Sequence, residues 1–135
     1  MMCKKYTQMI KDMNVDMILP SHGPVHKNPD YILDLYADWT SDAPKNLVAL
    51  PYVSMYESTK EMVDYLSDKL EAKGIKTFKF NIVDDDLGDL AMALVDAATI
   101  VMGTSMVLAG PHPMAVNVAY LAAVLRPKAK FASLL

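Results

Sequence analysis

The stretch Asn46-Leu-Val-Ala-Leu-Pro-Tyr-Val-Ser-Met-Tyr-Glu-Ser-Thr-Lys-Glu-Met-Val-Asp-Tyr-Leu-Ser-Asp-Lys-Leu-Glu-Ala-Lys-Gly74 decides the fold of this 135-residue chain. It opens with an apolar run that is typical of a buried strand and continues into a turn rich in hydroxyl groups. After the turn, apolar residues recur on one helical face at Met62, Val63, Leu66 and Leu70. Gly74 follows where a left-handed C-terminal cap is expected. The stretch therefore predicts a strand, a turn and an amphipathic helix.

The turn between this strand and helix is a candidate phosphate site. Its hydroxyl groups, on Ser54, Ser58 and Thr59, lie next to the first N–H groups of the helix. Those N–H groups lack intrahelical partners and form the positive end of the helix dipole. Ser58 and Glu61 also fit a capping box, which closes a helix end without any ligand. The patterns Gly-x-Gly-x-x-Gly and Gly-Lys-Ser/Thr are absent after the strand, so the two best-known phosphate loops are excluded.

The alternation of strands and helices continues beyond this stretch. The patterns predict strands at 76–83, 99–102 and 130–135, helices at 87–98 and 114–125, and an irregular loop at 106–113. Such an order predicts a parallel sheet with helices on both faces. Ligands of these sheets bind beyond the carboxyl ends of the strands, at the switch point. We therefore expect a flavodoxin-like, three-layer, doubly wound α/β fold, truncated to about four strands, with loops 54–59 and 103–113 at its switch point.

The residues before this domain predict a short α/β segment of their own. We expect a helix at 4–13, a strand at 15–19 and a helix at 28–39, which Asn28 caps and Pro29 opens. The second helix is expected to place Ile32, Leu35, Tyr36 and Trp39 on one face. The polar stretch 40–46 predicts a linker. We therefore divide the chain into domains at 1–45 and 46–135.

Composition restricts the class of protein. Hydrophobic residues make up 53% of the chain, which favours a folded domain over disorder. The net charge of −3 and the scattered basic residues give no indication of nucleic-acid binding. Cys3 has no internal partner for a disulfide, and no signal peptide pattern is present. We therefore expect a cytoplasmic protein.

One stretch imitates a membrane span. Residues 97–125 carry no Asp, Glu, Lys or Arg, which exceeds the roughly 20 apolar residues that a membrane helix needs. Gly103, Gly110, Pro111 and Pro113 interrupt the stretch, so a buried strand, a loop and a core-facing helix are favoured. The run Asp84-Asp85-Asp86 could bind a divalent cation, but we favour a solvated loop or the start of the next helix.

Three segments resemble flavodiiron proteins, the A-type flavoproteins. Residues 52–62, Tyr-Val-Ser-Met-Tyr-Glu-Ser-Thr-Lys-Glu-Met, resemble their FMN phosphate loop, and residues 103–113 resemble their second flavin loop. Upstream, Leu19-Pro-Ser-His-Gly23 is similar to the segment that holds the last histidine ligand of their iron pair. The resemblance covers nearly the whole chain. It implies that residues 1–45 are the end of a metallo-β-lactamase-like domain with a linker and that residues 46–135 form a truncated FMN-binding domain.

The resemblance implies a set of cofactor-binding residues and no catalytic residue. The hydroxyl groups of Ser54, Ser58 and Thr59 would bind the FMN phosphate, helped by backbone N–H groups of Met55, Tyr56 and Glu57. Tyr56 would also lie against the flavin or its ribityl chain. The second loop would present backbone groups to the ring from Gly103, Thr104, Ser105, Met106, Val107, Leu108 and Ala109. Glu57 departs from the glycine often found in such loops and places an acid near a phosphate.

The sequence also departs from the flavodiiron pattern in two larger ways. His22 occupies a family metal position, but the His-x-His/Glu-x-Asp cluster that completes the iron site is absent. We therefore do not expect this chain alone to bind iron. A fifth strand and the third flavin loop are also absent. We expect a fragment whose open sheet edge pairs with a second copy or with a separately encoded flavodiiron partner.

The leading functional hypothesis is an FMN-binding electron-transfer module of a flavodiiron-type oxidoreductase. The resemblance implies a redox protein as electron donor and dioxygen or nitric oxide as the substrate of the intact family. The alternative is a cofactor-free structural fragment that oligomerises or pairs with a separate chain. A response-regulator receiver domain shares the strand order, but it needs acidic residues where this sequence has Ser-Met-Tyr and Gly-Thr-Ser.

Overall fold

A computed structural model of the protein describes residues 2–135, and the chain divides into two compact units, Met1–Asp42 and Ala43–Leu135. The helices are α1 (Met2–Asp12), α2 (Pro29–Trp39), α3 (Ser58–Glu71), α4 (Leu87–Asp96) and α5 (Pro113–Leu125). The strands are β1 (Lys45–Val53), β2 (Lys76–Asn81), β3 (Ala97–Thr104), β4 (Met106–Val107), β5 (Gly110–Pro111) and β6 (Phe131–Leu134). The assignment of the first unit to the end of a metallo-β-lactamase-like domain stays a prediction.

The larger unit is built on a parallel four-stranded sheet in the order β2-β1-β3-β6. Strand β1 lies between β2 and β3, and its Tyr52 is in register with Asn81 on one side and Gly103 on the other. Residues 47–53 of β1 are all buried, as a central parallel strand requires. The predicted flavodoxin-like α/β fold is confirmed.

The side chains of β1 supply the core on both faces of the sheet. Leu47, Ala49 and Val53 belong to one apolar cluster, which also contains Leu90 and Leu94 of α4. The intervening residues Val48, Leu50 and Tyr52 form a second cluster with Val63 of α3. This division follows from the two-residue period of a strand, which sends alternate side chains to opposite faces.

Several helix ends agree with the sequence prediction. Asn28 caps α2, and its side chain accepts a hydrogen bond from the Tyr31 N–H at 3.4 Å. Asp86 caps α4 in the same way and accepts from the Gly88 N–H at 2.6 Å. Gly74, beyond the end of α3, has a φ of +74°, the left-handed conformation that a glycine adopts without strain.

Other predictions of local structure held only in part. The expected strand at 15–19 is reduced to an isolated bridge between Ile18 and His26, because no ladder of neighbouring residues forms around it. In α2 Tyr36 and Trp39 share a face as expected, with ring centroids 5.4 Å apart, but both are exposed and the buried residue is Leu33. In α3 Val63 is buried and Leu66 and Leu70 pack against the core as expected, whereas Met62 is exposed.

The long uncharged stretch forms the expected strand and helix, although its central loop is more regular than predicted. Residues 106–113 contain the short antiparallel hairpin β4–β5 in place of an irregular loop. Leu108 takes a φ of +54° at its tip, and this reversal lets the flanking pairs form. Among residues 2–135, no helix combines the length and the apolarity needed to cross a membrane.

A carboxylate at the end of α4 links the start of β1 to the segment before β6. Asp96 lies 2.8 Å from Lys45 Nζ and 3.1 Å from Lys128 Nζ, and the Lys128 side chain is only 8% exposed. Burial raises the pKa of Asp96, but its hydrogen bonds with both lysines outweigh this effect and hold the pKa below its ordinary value of 3.8.

This lowered pKa gives a prediction about acid stability. Because the folded-state pKa of Asp96 lies below its unfolded value, the carboxylate stabilises the fold above pH ~4, and the contribution is lost as the pH falls through the folded-state pKa. We expect the free energy of unfolding of Asp96→Asn to fall less steeply between pH 6 and pH 3 than that of the wild type. Urea unfolding measured across this range tests it, with the exposed Asp16→Asn as control. Equal slopes for wild type and Asp96→Asn would contradict the assignment.

Candidate functional site

The two predicted loops meet at the carboxyl edge of the sheet. Strands β1 and β3 are neighbours, so their ends at Val53 and Thr104 lie side by side. The Met55 N–H donates to Ser105 Oγ at 3.2 Å, and Thr59 Oγ1 lies 3.4 Å from the same oxygen. The turn after β1 and the loop after β3 therefore form one continuous feature, although about 50 residues separate them in sequence.

The N-terminus of α3 is left without a side-chain cap. The cap residue is Glu57, which makes no side-chain hydrogen bond to the helix end, and the first helical bond runs from the Glu61 N–H to the Glu57 carbonyl at 2.9 Å. The alternative interpretation of Ser58 and Glu61 as a capping box is therefore wrong, because the helix already begins at Ser58. The N–H groups of residues 58–60 precede the first helical bond and are available to an anion.

Ser54 carries an unused hydroxyl at the same corner. Its Oγ atom is buried and has no hydrogen-bond partner, although the residue as a whole is half-buried. A buried hydroxyl without a partner costs about 1–3 kcal/mol, so a ligand that bonds to it regains this energy. Rotation to another staggered χ1 conformer turns the hydroxyl without moving the backbone.

Glu57 adopts a left-handed backbone conformation between Ser54 and the helix. Its φ is +64°, which disfavours any residue with a Cβ and suits glycine. The backbone at this position therefore favours glycine, the residue often found in the loops that this turn resembles. The nearby Lys60 binds Asp64 at 3.0 Å, and its raised pKa reflects chiefly this contact and, to a smaller extent, attraction to the Glu57 carboxylate. Hydrogen bonds from Lys79 and Lys60 in turn lower the pKa of Asp64.

Close packing at Gly103 sets the distance between β3 and α3. A Cβ atom on Gly103 would lie 3.0 Å from Tyr52 Cβ and from Val63 Cγ2, and 3.1 Å from Thr59 Cγ2. The absence of a side chain therefore allows the end of β3 to approach the first turn of α3.

Apolar side chains surround the corner on its outer side. The exposed ones are Met55, Tyr56, Met106 and Leu108, and Tyr56 and Leu108 are 86% and 99% exposed. Val107 is half-buried within the hairpin β4–β5, and Ala109 is exposed near its tip. The His112 N–H fastens the base of this hairpin, donating to the Ser105 carbonyl at 3.1 Å and lying 3.2 Å from Thr104 Oγ1. Of the predicted residues of the second loop, Gly103 and Ser105 contact the first loop or the start of α3, and the place of residues 106–109 beside a ligand stays a prediction.

The predicted metal position has no cluster of ligands around it. His22 is exposed and lies in the bend before the bridge residue His26. In the part of the chain that the structure describes, no group of three or more His, Cys, Asp or Glu side chains is arranged to hold a metal ion. The acidic run 84–86 makes local hydrogen bonds, such as that of Asp85 Oδ2 with the Asn81 N–H at 2.7 Å.

Sequence reasoning missed the role of one side chain. It assigned to Ser105 only backbone contacts with a ligand, whereas the Ser105 hydroxyl joins the two loops. No pattern in the sequence indicates this role, because it depends on the register between β1 and β3.

The fold and the paired loops define a flavodoxin-like α/β unit, and comparison with known proteins narrows the class. No protein-family model matches the chain. The nitric oxide reductase of Moorella thermoacetica is 30% identical over 103 residues, which are 75% of this chain and 26% of that protein. The rubredoxin oxygen:oxidoreductase of Desulfovibrio gigas superposes with a TM-score of 0.87 at 20% identity, covering 98% of this chain and 34% of that one. For the flavodiiron protein of Giardia intestinalis the TM-score is 0.81 at 17% identity, over 91% and 31% of the two chains.

The resemblance to flavodiiron proteins that the sequence motifs predicted is confirmed. The chain spans about a quarter to a third of the length of the proteins that it matches.

The packing at Gly103 gives a prediction. Gly103→Ala places a methyl group against one atom of β1 and two of α3, and we expect the free energy of unfolding to fall by about 1–3 kcal/mol. The matched control is Gly110→Ala, where no atom lies within 4 Å of the added Cβ. Chemical denaturation of both variants measures the difference. Equal stability of the two variants would show that β3 does not need a glycine at this point.

Proposed function

We propose that residues 43–135 bind FMN and serve as an electron-transfer module of a flavodiiron-type oxidoreductase, with a redox protein as electron donor. The observation that carries the proposal is the meeting of the uncapped end of α3 with the loop after β3. Such a corner, at the carboxyl ends of neighbouring parallel strands, is where α/β sheets bind nucleotide cofactors.

The chemistry of the corner fits the phosphate of FMN. A phosphate monoester carries close to two negative charges near neutral pH and accepts several hydrogen bonds. The N–H groups of residues 58–60, the exposed Ser58 hydroxyl and the unpartnered Ser54 hydroxyl supply donors for it. They do so at the positive end of a helix, so no basic side chain is needed.

The residues around the corner suit the flavin ring. The bound cofactor supplies the redox chemistry, while the chain holds and orients it. Tyr56 and Met106 offer exposed apolar surface for the ring, and the backbone of the hairpin beyond Ser105, residues 106–109, offers polar groups to its edge. These residues would shield the ring from water on one side. Iron is not part of the proposed module.

FMN titration tests the proposal directly. FMN added to the purified protein is expected to lose fluorescence. In gel filtration it is expected to elute together with the protein, so that the protein peak also shows flavin absorbance. Riboflavin, which lacks the phosphate, is expected to bind more weakly. Protein that stays colourless after incubation with excess FMN would overturn the proposal.

The left-handed Glu57 gives a prediction about affinity. Glu57→Gly relieves the backbone strain of about 1 kcal/mol and also removes an acid beside the phosphate. Glu57→Gln removes only the charge. We expect both variants to bind FMN about fivefold more tightly, since roughly 1 kcal/mol of repulsion is relieved, and only Glu57→Gly to raise the free energy of unfolding. Unchanged FMN affinity in both variants would place the carboxylate away from the phosphate.

A second candidate function is favoured by an apolar surface formed by α5 and β6. Helix α5 carries no charged residue, and Val116, Tyr120 and Val124 form an exposed stripe at four-residue spacing. Beside it, β6 is an edge strand with all four residues exposed, and an apolar groove of about 510 Å³ lies between the two. Large apolar surfaces and open sheet edges favour association with another chain. The alternative is therefore a structural unit that oligomerises or pairs with a separately encoded partner.

Light scattering distinguishes the associated state from the single chain. If a second copy covers this surface, the molar mass at micromolar concentration is that of a dimer, and Tyr120→Lys reduces it to one chain. Tyr65→Lys, an exposed position on α3, is the matched control and leaves the mass unchanged. A mass of one chain for the wild type would count against self-association, and bound FMN would exclude the cofactor-free alternative.

A further inference from the structure

We propose that the Ser105 hydroxyl is a positioning group, which holds the turn at residues 54–59 in the shape that receives a phosphate without itself touching the ligand. This role rests on the proposed FMN function and assigns a part of that site. It is carried by the hydrogen bonds of one side chain rather than by the resemblance to other proteins.

The Ser105 hydroxyl uses all of its hydrogen-bonding capacity within the protein. A serine hydroxyl has one proton to donate and two lone pairs to accept with. Its Oγ lies 3.3 Å from the Val53 carbonyl, which takes the proton, and 3.2 Å from the Met55 nitrogen, whose N–H donates to it. The remaining lone pair faces the Thr59 hydroxyl at 3.4 Å. No donor or acceptor on this oxygen is left for a ligand.

The backbone of Ser105 is itself held firmly, which makes it a suitable anchor. Its N–H donates to the Val53 carbonyl at 3.3 Å, and its carbonyl accepts from the His112 N–H at 3.1 Å and the Thr104 hydroxyl at 3.0 Å. The side chain therefore ties the turn to the end of the sheet and to the base of the hairpin. Such a connection orders the turn before the ligand binds, so the entropy cost of ordering the turn does not reduce the affinity.

The same bonds refine the list of phosphate ligands. The Met55 N–H and the Thr59 hydroxyl both point to Ser105 and are therefore not the first donors to a phosphate. The Ser54 hydroxyl, the Ser58 hydroxyl and the N–H groups of residues 58–60 remain. Met55 and Thr59 thus shape the turn, and the groups around them bind.

Comparison of FMN with riboflavin isolates this role. Ser105→Ala removes the hydroxyl, and we expect it to weaken FMN binding about tenfold while riboflavin binding stays unchanged, because only FMN contacts the turn through a phosphate. Ser105→Thr keeps the hydroxyl and is expected to retain FMN affinity. The control is Ser133→Ala in β6, whose hydroxyl bonds only to its neighbour's carbonyl at 3.4 Å. The readout is the ratio of the FMN affinity to the riboflavin affinity, because a loss of folded protein lowers both affinities equally.

The outcomes separate this proposal from the one on which it rests. A wild type that binds no FMN overturns the proposed function and this role together. A wild type that binds FMN, with the same affinity ratio in Ser105→Ala, overturns the role of Ser105 alone. Amide hydrogen exchange in the cofactor-free protein gives a second readout: the Met55 amide exchanges faster in Ser105→Ala if the bond exists. Unchanged exchange at Met55 would also overturn the role.

Discussion

Burial of β1 on both of its faces is the constraint on which the larger unit depends. Alternate side chains of this strand require cover from α3 on one side and from α4 and α5 on the other. Parallel neighbours on both edges then pair most of the strand's backbone, apart from an irregularity between Lys45 and Val48 on the β3 side. Once β1 is central, the ends of β1 and β3 must lie together, and the loops that follow them share one edge of the sheet. The candidate site is thus a consequence of core packing.

The site itself departs from the rules that the rest of the unit follows. Apolar clusters cover both faces of the sheet, and α2, α4 and α5 begin with side-chain caps, yet α3 begins without one and Ser54 has an unmade hydrogen bond. Glu57 and Leu108 add two left-handed backbone positions without glycine. Left-handed residues other than glycine also occur at Asn14 and at Arg126, the C-cap of α5. The corner differs because such a residue lies there beside an uncapped helix start and a buried hydroxyl without a partner, a combination typical of functional sites.

Much of this fold can be predicted from the sequence, because its signals are local. The apolar run of β1, the alternation of strands and helices, the Asn28 and Asp86 caps and the left-handed Gly74 each follow from a few neighbouring residues. The failures were of a different kind. The strand expected at 15–19 had the right residues but no ladder to join, and only the assembled chain decides that.

The site shows the same division between local and non-local information. The two loops and their residue types were evident from the motifs, and the structure brings Thr59 and Met55 to Ser105. The missing cap of α3 could not be predicted, because Ser58 fits both the cap and the first turn. The link that the Ser105 hydroxyl makes between the loops could not be predicted either. Its partners are about 50 residues away in sequence, and the register of the strands decides whether they meet.

The edge strand β6 has one more consequence, for the protein's behaviour under stress. Its sequence Phe131-Ala-Ser-Leu134 is uncharged, exposed and unpaired along one side, and such an open edge can pair with another chain. Charged residues beside such segments act as gatekeepers against stacking. Lys128 forms an ion pair with Asp96, so the exposed Lys130 is the lysine that can act as a gatekeeper next to the strand. Loss of that charge would leave the open edge of the sheet unguarded without altering the buried core.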